Sequence, residues 1–380
     1  MRGVNQHAVM PQATQDDEAR ENFCRNLSVH LETVLRPKLR NTYERDVAPI
    51  LTERLGRAPT FREIAKAMRK VPGNRFWYRL RTDNQDRMYD NARTMIDRQR
   101  EELAEEAKKI SGRLGSLTLD PSFVMPNYLT ELDIHRKPGG YHGEEVRDDV
   151  GTGAEYDRTI AVHNMGSQGP DNDDPAHSIA AWIKQSAPGF RPKRILDMGC
   201  TIGNNTLPYS VAFPDAEVHG IDCAAPCLRY AHARANALGI AVHFHQMNAE
   251  KTSFPDRHFD LIVSRILFHE TARRALDNII AECRRLLRPG GLMLHCDAPQ
   301  FDEFDAYQAS LRDWDATANN EPFMLTVYAL PLEQMYAAAG FAKEGTFRAY
   351  APSLTFAAAR ALDPNATRSG GRYFFTGARG

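Results

Sequence analysis

The chain has 380 residues, 26% of them charged, and a formal net charge of −1. That length can bury a substantial core and house two structural units, while the near-neutral balance excludes a whole-chain polyanion-binding signal. No apolar run approaches the roughly 20 residues needed to cross a bilayer, and residues 1–20 are polar without a signal-peptide core. A soluble, cytoplasmic protein with no membrane partner is expected. The six cysteines are too few and too scattered for a disulfide framework. Cys223 and Cys227 have no second Cys or His pair at zinc-finger spacing, so they read as small apolar packing.

Residues 16–115 read as helices. Phe23, Leu27, Leu31, Val34 and Leu35 recur at helical spacing, and Met88, Ala92, Met95, Ile96, Leu103, Ala107 and Ile110 make a second stripe. Pro49 and the 71–74 cluster punctuate them. Thr60 followed by Glu63 is a capping box. Residues 53–65 resemble the helix start of some helix-turn-helix segments, but a capped structural helix is the favoured reading. This mildly basic helical unit, residues 1–118, is expected to be a lid or a dimerisation surface, so a homodimer is an open alternative.

Residues 119–175 are rich in Gly and Pro, which predicts no long element, and polar and aromatic side chains crowd between them. Asp133, His135, Tyr141, His142, Glu144, Asp148, Asp149 and Tyr156 fall close together, a density that favours a substrate lid over a spacer.

Across residues 176–380, short buried strands at 195–198, 217–221, 242–246, 261–264 and 292–296 alternate with helical stretches at 226–238 and 275–287. The second stretch ends in a tight turn at 288–291. Such alternation predicts a parallel sheet with right-handed crossovers and a ligand at the carboxyl ends of its strands. A helix at 331–339 and strands near 347–350 and 373–376 complete the pattern. Phe323, Met324, Tyr328, Tyr350 and Phe356 are candidates for an acceptor pocket, with core packing as the commoner use of such side chains.

The chemistry starts where the strand at 195–198 runs into Gly199-Cys200-Thr201-Ile202-Gly203, while the next strand ends in Asp222. Glycines let backbone approach a ligand, and an acid at the following strand tip can accept hydrogen bonds from both ribose hydroxyls. A dinucleotide would need glycine where Thr201 stands. Asp197 would sit poorly beside a pyrophosphate but well beside an ammonium or sulfonium. S-adenosylmethionine carries both cations and no phosphate.

Residues 192–300 resemble the class I S-adenosylmethionine-dependent methyltransferases, through 194–208, 218–235, 248–270 and 283–299 in order. The resemblance implies an α/β fold, a Rossmann-like seven-stranded, mostly parallel sheet with helices on both faces, joined to the N-terminal helical domain. It implies S-adenosylmethionine as cofactor. Asp197 and Gly199, with Cys200, Thr201 and Gly203 in the same turn, would border the methionine moiety. Asp222 would hold the ribose, Cys223 follows it, and Asn248 with Ala249 would border the adenine. Ser264 ends the fourth strand of the family pattern. Thr201 stands where the family carries glycine, and Asn248 where it often carries aspartate.

Methyl transfer is an in-line displacement that needs alignment and exclusion of water, and a base only if the acceptor must lose a proton. After the fourth strand, where the family places substrate-facing residues, stand Arg265, Phe268, His269 and Glu270, and His269 is the base candidate. His135, His142, Tyr141 and Glu144 in the lid are its rivals. Asp133 and His135 with His142 and Glu144 could also chelate a metal, but hydrogen bonding is the favoured reading and no metal ligand is assigned. A small-molecule acceptor is expected, since no RNA- or DNA-reading module is evident. The alternatives are a nucleic-acid or protein methyltransferase docking through the basic helices, and a cofactor-binding regulator without transferase activity.

Overall fold

In the computed structural model, residues 7–362 and 371–380 are described. The described residues include an eight-stranded sheet. Its strands are β1 (Ser116–Thr118), β2 (Arg194–Met198), β3 (Glu217–Asp222), β4 (His243–Gln246), β5 (Phe259–Arg265), β6 (Leu287–Cys296), β7 (Thr346–Pro352) and β8 (Arg372–Arg379). They lie in the order β1-β4-β3-β2-β5-β6-β8-β7, parallel from β1 to β6, with β8 antiparallel to both β6 and β7. Seven strands were expected; the eighth is β1, three residues that pair with β4 where the helical unit ends. Its brevity hid it, because three residues carry no readable alternation.

The order reverses at β2, with β3 and β4 laid down on one side of it and β5 and β6 on the other, so a crevice opens at the carboxyl tips of β2 and β5. Two buried clusters cover the sheet's faces. On one, Ile179, Leu228, Ala231 and Phe244 pack together; on the other, Leu196, Ile279, Ile280 and Tyr336 do so. The tight turn expected at 288–291 is a bulge inside the paired strand. Phe259 faces Leu287, yet Leu261 faces Leu292, and Gly290 takes φ +77°.

The N-terminal residues are helical, but Pro49 does not interrupt them. Helical backbone runs unbroken through Gln15–His30, Arg36–Thr42 and Ala48–Leu55, joined by two wide turns at Leu31–Leu35 and Tyr43–Val47. Each wide turn sits just before a proline, Pro37 or Pro49, whose missing N–H and bulky ring a regular turn would not accommodate. Thr60 caps Phe61–Met68 as expected. Its hydroxyl accepts from the Glu63 N–H at 3.4 Å, and the Glu63 carboxylate accepts from the Thr60 N–H at 2.8 Å. That helix buries Ile64 and Met68 against Tyr307 and Leu311 of the helix Ala306–Ala318.

Residues 119–175 depart from the expectation of no long element. The helix Gly151–His163 lies in the interior, with 11 of its 13 residues buried. Two of the glycines read as breakers, Gly151 and Gly153, are packing glycines inside this helix. A methyl group on Gly153 would lie 2.4 Å from Cβ of Tyr230, so only hydrogen lets this helix meet Ala225–Ala237. Asp157 on the same helix accepts from Tyr230 Oη at 3.0 Å and pairs with Arg234 at 3.3 Å and His7 at 3.0 Å. Among the described residues no helix is long and apolar enough to cross a membrane.

Candidate functional site

A cleft opens at the tips of β2, β3 and β5. One wall comes from the strand tips, through Gly199, Thr201, Asp222, Cys223, Asn248 and Ala249. The opposite wall comes from the lid, through Tyr128, His135, Tyr141, His142 and Tyr156, with Arg265 and Glu270 between the two. Segments more than 40 residues apart in the chain therefore share one space.

The strand-tip wall is shaped by backbone. The N–H groups of Gly199 and Cys200 both donate to the Ile221 carbonyl, at 2.8 and 3.0 Å, which locks the turn against the end of β3. Gly199 has φ +73°, and a methyl group on it would stand 2.9 Å from Leu267. Gly203 closes the turn by donating to the Cys200 carbonyl at 2.7 Å. Thr201 adopts φ +46°, a left-handed conformation that a β-branched residue takes only under strain. It is held there by its own N–H, which donates to Asp222 Oδ2 at 2.9 Å. The other Asp222 oxygen accepts from the Ala224 N–H at 2.9 Å, and burial raises the carboxyl's pKa against these bonds.

Asp197, Cys200, Gly203 and Ser264 do not line the cleft. Asp197 is buried behind its wall. One oxygen accepts from the Thr206 hydroxyl at 2.6 Å, and the other has no hydrogen-bond partner. Burial, aided by the Asp222 charge, lifts its carboxyl to about 7. Such an orphaned acid suits a cationic ligand. Cys200 is buried, and the two thiols expected to be unlinked, Cys223 and Cys227, are free. Ser264 points away, its hydroxyl bonded to His295 Nδ1 at 2.7 Å. Strand alternation explains this, because its neighbour Arg265 takes the cleft-facing position. The Asn248 side chain folds back on its own loop, its Oδ1 accepting from the Glu250 N–H at 2.8 Å, so it borders the cleft without extending its amide into it.

The base candidates separate sharply. His269 is buried outside the lining; its Nδ1 bonds Asp297 Oδ1 at 2.6 Å and its Nε2 faces Glu270 at 3.5 Å. Burial opposes its charge, but Asp297 and Glu270 prevail and push its pKa up to about 10. With Nδ1 bonded to Asp297, Nε2 turned to Glu270 and the ring outside the lining, His269 is not placed to take a proton from an acceptor in the cleft. Glu144 also lies outside the lining and pairs with Arg229 at 2.7 Å. His135 lines the cleft, but Glu321 and Glu270 lie 2.9 and 3.1 Å from its Nε2. Its Nδ1 bonds the Tyr141 hydroxyl. Burial drives the Tyr141 phenol far above its ordinary range. His142 differs from all of these. It lines the cleft, and burial together with the Lys137 ammonium holds its pKa below the ordinary value, leaving a neutral imidazole near neutral pH.

Phe323, Met324, Tyr328, Tyr350 and Phe356 are not in the lining. Tyr328 is buried against Phe301, and Phe323 meets the cleft only through an edge contact with Tyr128. Sequence reading missed Tyr128, Asp297 and Glu321. Asp297 follows the tip of β6, where the strand-end rule could have found it. Glu321 sits in a turn after Ala306–Ala318 and carries no local signal.

A parallel sheet with a left-handed turn after its first core strand and an acid at the tip of the next defines a nucleoside-binding α/β domain. The family model described as a methyltransferase domain matches residues 195–291. These residues form a methyltransferase domain of the class I S-adenosylmethionine-dependent kind, with S-adenosylmethionine as its cofactor. It is 35% identical over 108 residues to a demethylmenaquinone methyltransferase of Thermus thermophilus, covering 28% of this chain and 48% of that one. It is 36% identical over 117 residues to a malonyl-[acyl-carrier protein] O-methyltransferase of Methylococcus capsulatus, covering 30% and 40%. It is 29% identical over 143 residues to a fatty-acid O-methyltransferase of Mycolicibacterium smegmatis, covering 37% and 48%. The chain spans about half the length, or less, of these curated relatives.

Proposed function

We propose that this protein transfers the methyl group of S-adenosylmethionine to a small-molecule acceptor held under the lid. The observation that supports this most is the shared cleft, with strand tips on one wall and lid aromatics and histidines on the other. Relatives named for demethylmenaquinone, fatty acids and a carrier-bound malonyl group all act on small or carrier-borne acceptors, which favours the same class here.

Bound S-adenosylmethionine supplies a methyl group on a cationic sulfur. The chain's residues do the rest. Asp222 accepts from the ribose hydroxyls, while the Gly199–Thr201 backbone lets the methionine moiety approach. Asp197, buried behind that wall with one oxygen unpartnered, favours the ammonium group through its charge rather than by contact. Tyr128, Tyr156 and the apolar residues of the lid exclude water and position the acceptor. The neutral His142 imidazole takes a proton where the acceptor must lose one.

Two measurements test this reading. Transfer of labelled methyl from S-adenosylmethionine into a fractionated metabolite extract should yield a small labelled product. Calorimetry should show Asp222→Ala binding the cofactor at least about tenfold more weakly, the factor that loss of one charge-assisted hydrogen bond implies. Unchanged affinity would overturn the Asp222 role, and label found only in protein or nucleic acid would overturn the acceptor class.

A further inference from the structure

A second constellation stands beside the acceptor half of the cleft. His135, His269 and Glu270 each bring a ligand atom to within 4.8 Å of the others. Glu321 joins them, its Oε1 2.9 Å from His135 Nε2. Glu270 Oε1 lies 3.1 Å from His135 Nε2 and 3.5 Å from His269 Nε2. Around an ion with ligand bonds of about 2.0–2.2 Å, adjacent ligand atoms stand about 2.8–3.6 Å apart, from right-angle to tetrahedral geometry. All three spacings fall in that window.

The rings are also oriented as metal ligands are. Metal-binding histidines commonly donate their other ring nitrogen to a carboxylate or a similar group, which fixes the tautomer and aims the free lone pair. Here His269 Nδ1 meets Asp297 Oδ1 at 2.6 Å and His135 Nδ1 meets the Tyr141 hydroxyl, so both Nε2 atoms turn toward the same carboxylates. Two independent features mark the place. Glu270 Oε2 is buried with no hydrogen-bond partner, and His135 is held at φ +59°, a strained conformation that clusters at functional sites.

We propose that His135, His269, Glu270 and Glu321 bind one divalent transition-metal ion at the edge of the cleft. Two imidazoles with two carboxylates suit Zn²⁺, Mn²⁺ or Fe²⁺, whereas Mg²⁺ and Ca²⁺ favour all-oxygen ligands. The set that the sequence offered, Asp133 and His135 with His142 and Glu144, is not the one the fold assembles, since Glu144 is turned to Arg229.

His135 and Glu270 line the cleft, so the ion faces the acceptor. If the methyltransferase reading above holds, this selects a hydroxyl-bearing acceptor. The ion lowers the pKa of the hydroxyl drawn to it, and the proton passes to His142. The oxygen then forms a bond to the methyl carbon as the S–CH₃ bond breaks, and sulfur keeps that electron pair, leaving S-adenosylhomocysteine. This consequence rests on the methyltransferase reading, whereas binding of the ion does not.

The test uses the full chain after treatment with a chelator. Titration with Zn²⁺ and with Mn²⁺ should show one tight site, with Mg²⁺ far weaker, and Co²⁺ should develop visible absorption. Glu321→Gln and His269→Ala should each weaken Zn²⁺ binding by about 10-fold or more while leaving the affinity for S-adenosylmethionine unchanged. Absence of Zn²⁺, Mn²⁺ and Co²⁺ binding to the unmodified chain would overturn the site, and so would binding that neither folded variant weakens. Stoichiometric metal with methyl transfer insensitive to its removal would overturn the catalytic role and leave the site standing. Metal binding without any methyl transfer would count against the methyltransferase reading instead.

Discussion

The two walls of the cleft are built by different means. On the strand-tip wall, backbone does the work: the turn from Gly199 to Gly203 and the Asp222 carboxylate lie within 25 residues of sequence and are tied by main-chain hydrogen bonds. On the lid wall the backbone is irregular, with His135, Arg136, Gly139 and Gly140 all at positive φ, and side chains hold it in place. Lys137, only 2% exposed, donates to the Gly140 carbonyl at 2.7 Å and pairs with Glu155 at 2.9 Å. Arg136 grips Asp86 through two bonds, at 2.6 and 2.8 Å. The backbone wall suits a ligand that never changes, and the side-chain wall suits one particular to this protein.

If that division is right, lesions on the two walls should separate turnover from cofactor binding. The largest effect is expected at His142. His142→Ala should lower kcat by at least about a hundredfold, the lower range for loss of a general base, without changing affinity for S-adenosylmethionine. A depressed pKa keeps the imidazole neutral to more acid pH, so the acid limb of wild-type turnover should fall below the ordinary histidine range. A loss traced by calorimetry to cofactor affinity would break the comparison.

A smaller effect should appear on the other wall. The Asp197 carboxyl, lifted to about 7, is mostly protonated at pH 6. A folded-state pKa above the unfolded value stabilises the fold fully below about pH 4, and that contribution is lost as pH rises through about 7. Cofactor binding runs the opposite way, because an ammonium beside the acid favours its ionised form. Affinity for S-adenosylmethionine should therefore rise about tenfold from pH 6 to pH 7.5, and Asp197→Asn should flatten that slope. An equally steep slope in the variant would remove Asp197 from the donor site.

The same division explains what could be read beforehand. The sheet from β2 to β8 was legible because its central strands β2, β5 and the end of β6 are apolar runs that alternate with helical stretches. The donor turn was legible because its glycines and acids are near neighbours in sequence. The helix Gly151–His163 was not, because Gly151 and Gly153 carry the same letters whether they break a helix or let it pack against Tyr230. The cluster of His135, His269, Glu270 and Glu321 was out of reach for another reason: it joins residues from three separate regions that meet only when the lid folds back. His269 drew attention as a base, yet its role is set by Asp297 and Glu270, whose positions no local pattern fixes.

Thr201 offers the finest test, as the place where the glycine turn of the backbone wall departs from the family pattern. A β-branched residue at φ +46° carries a penalty of about 1–2 kcal/mol, whereas glycine there would lose about 0.5–1 kcal/mol more chain entropy on folding. The difference is small and favours glycine. Thr201→Gly should stabilise the chain by up to about 1 kcal/mol in urea unfolding, with the Asp222 contact kept, because that contact uses the backbone N–H. If the strain serves to hold that N–H against Asp222, the more stable variant should bind S-adenosylmethionine somewhat less tightly, since a freer turn must be ordered again on binding. A variant that is both more stable and tighter-binding would show that the strain does nothing for the donor site, and that the backbone wall tolerates Thr201 without using it.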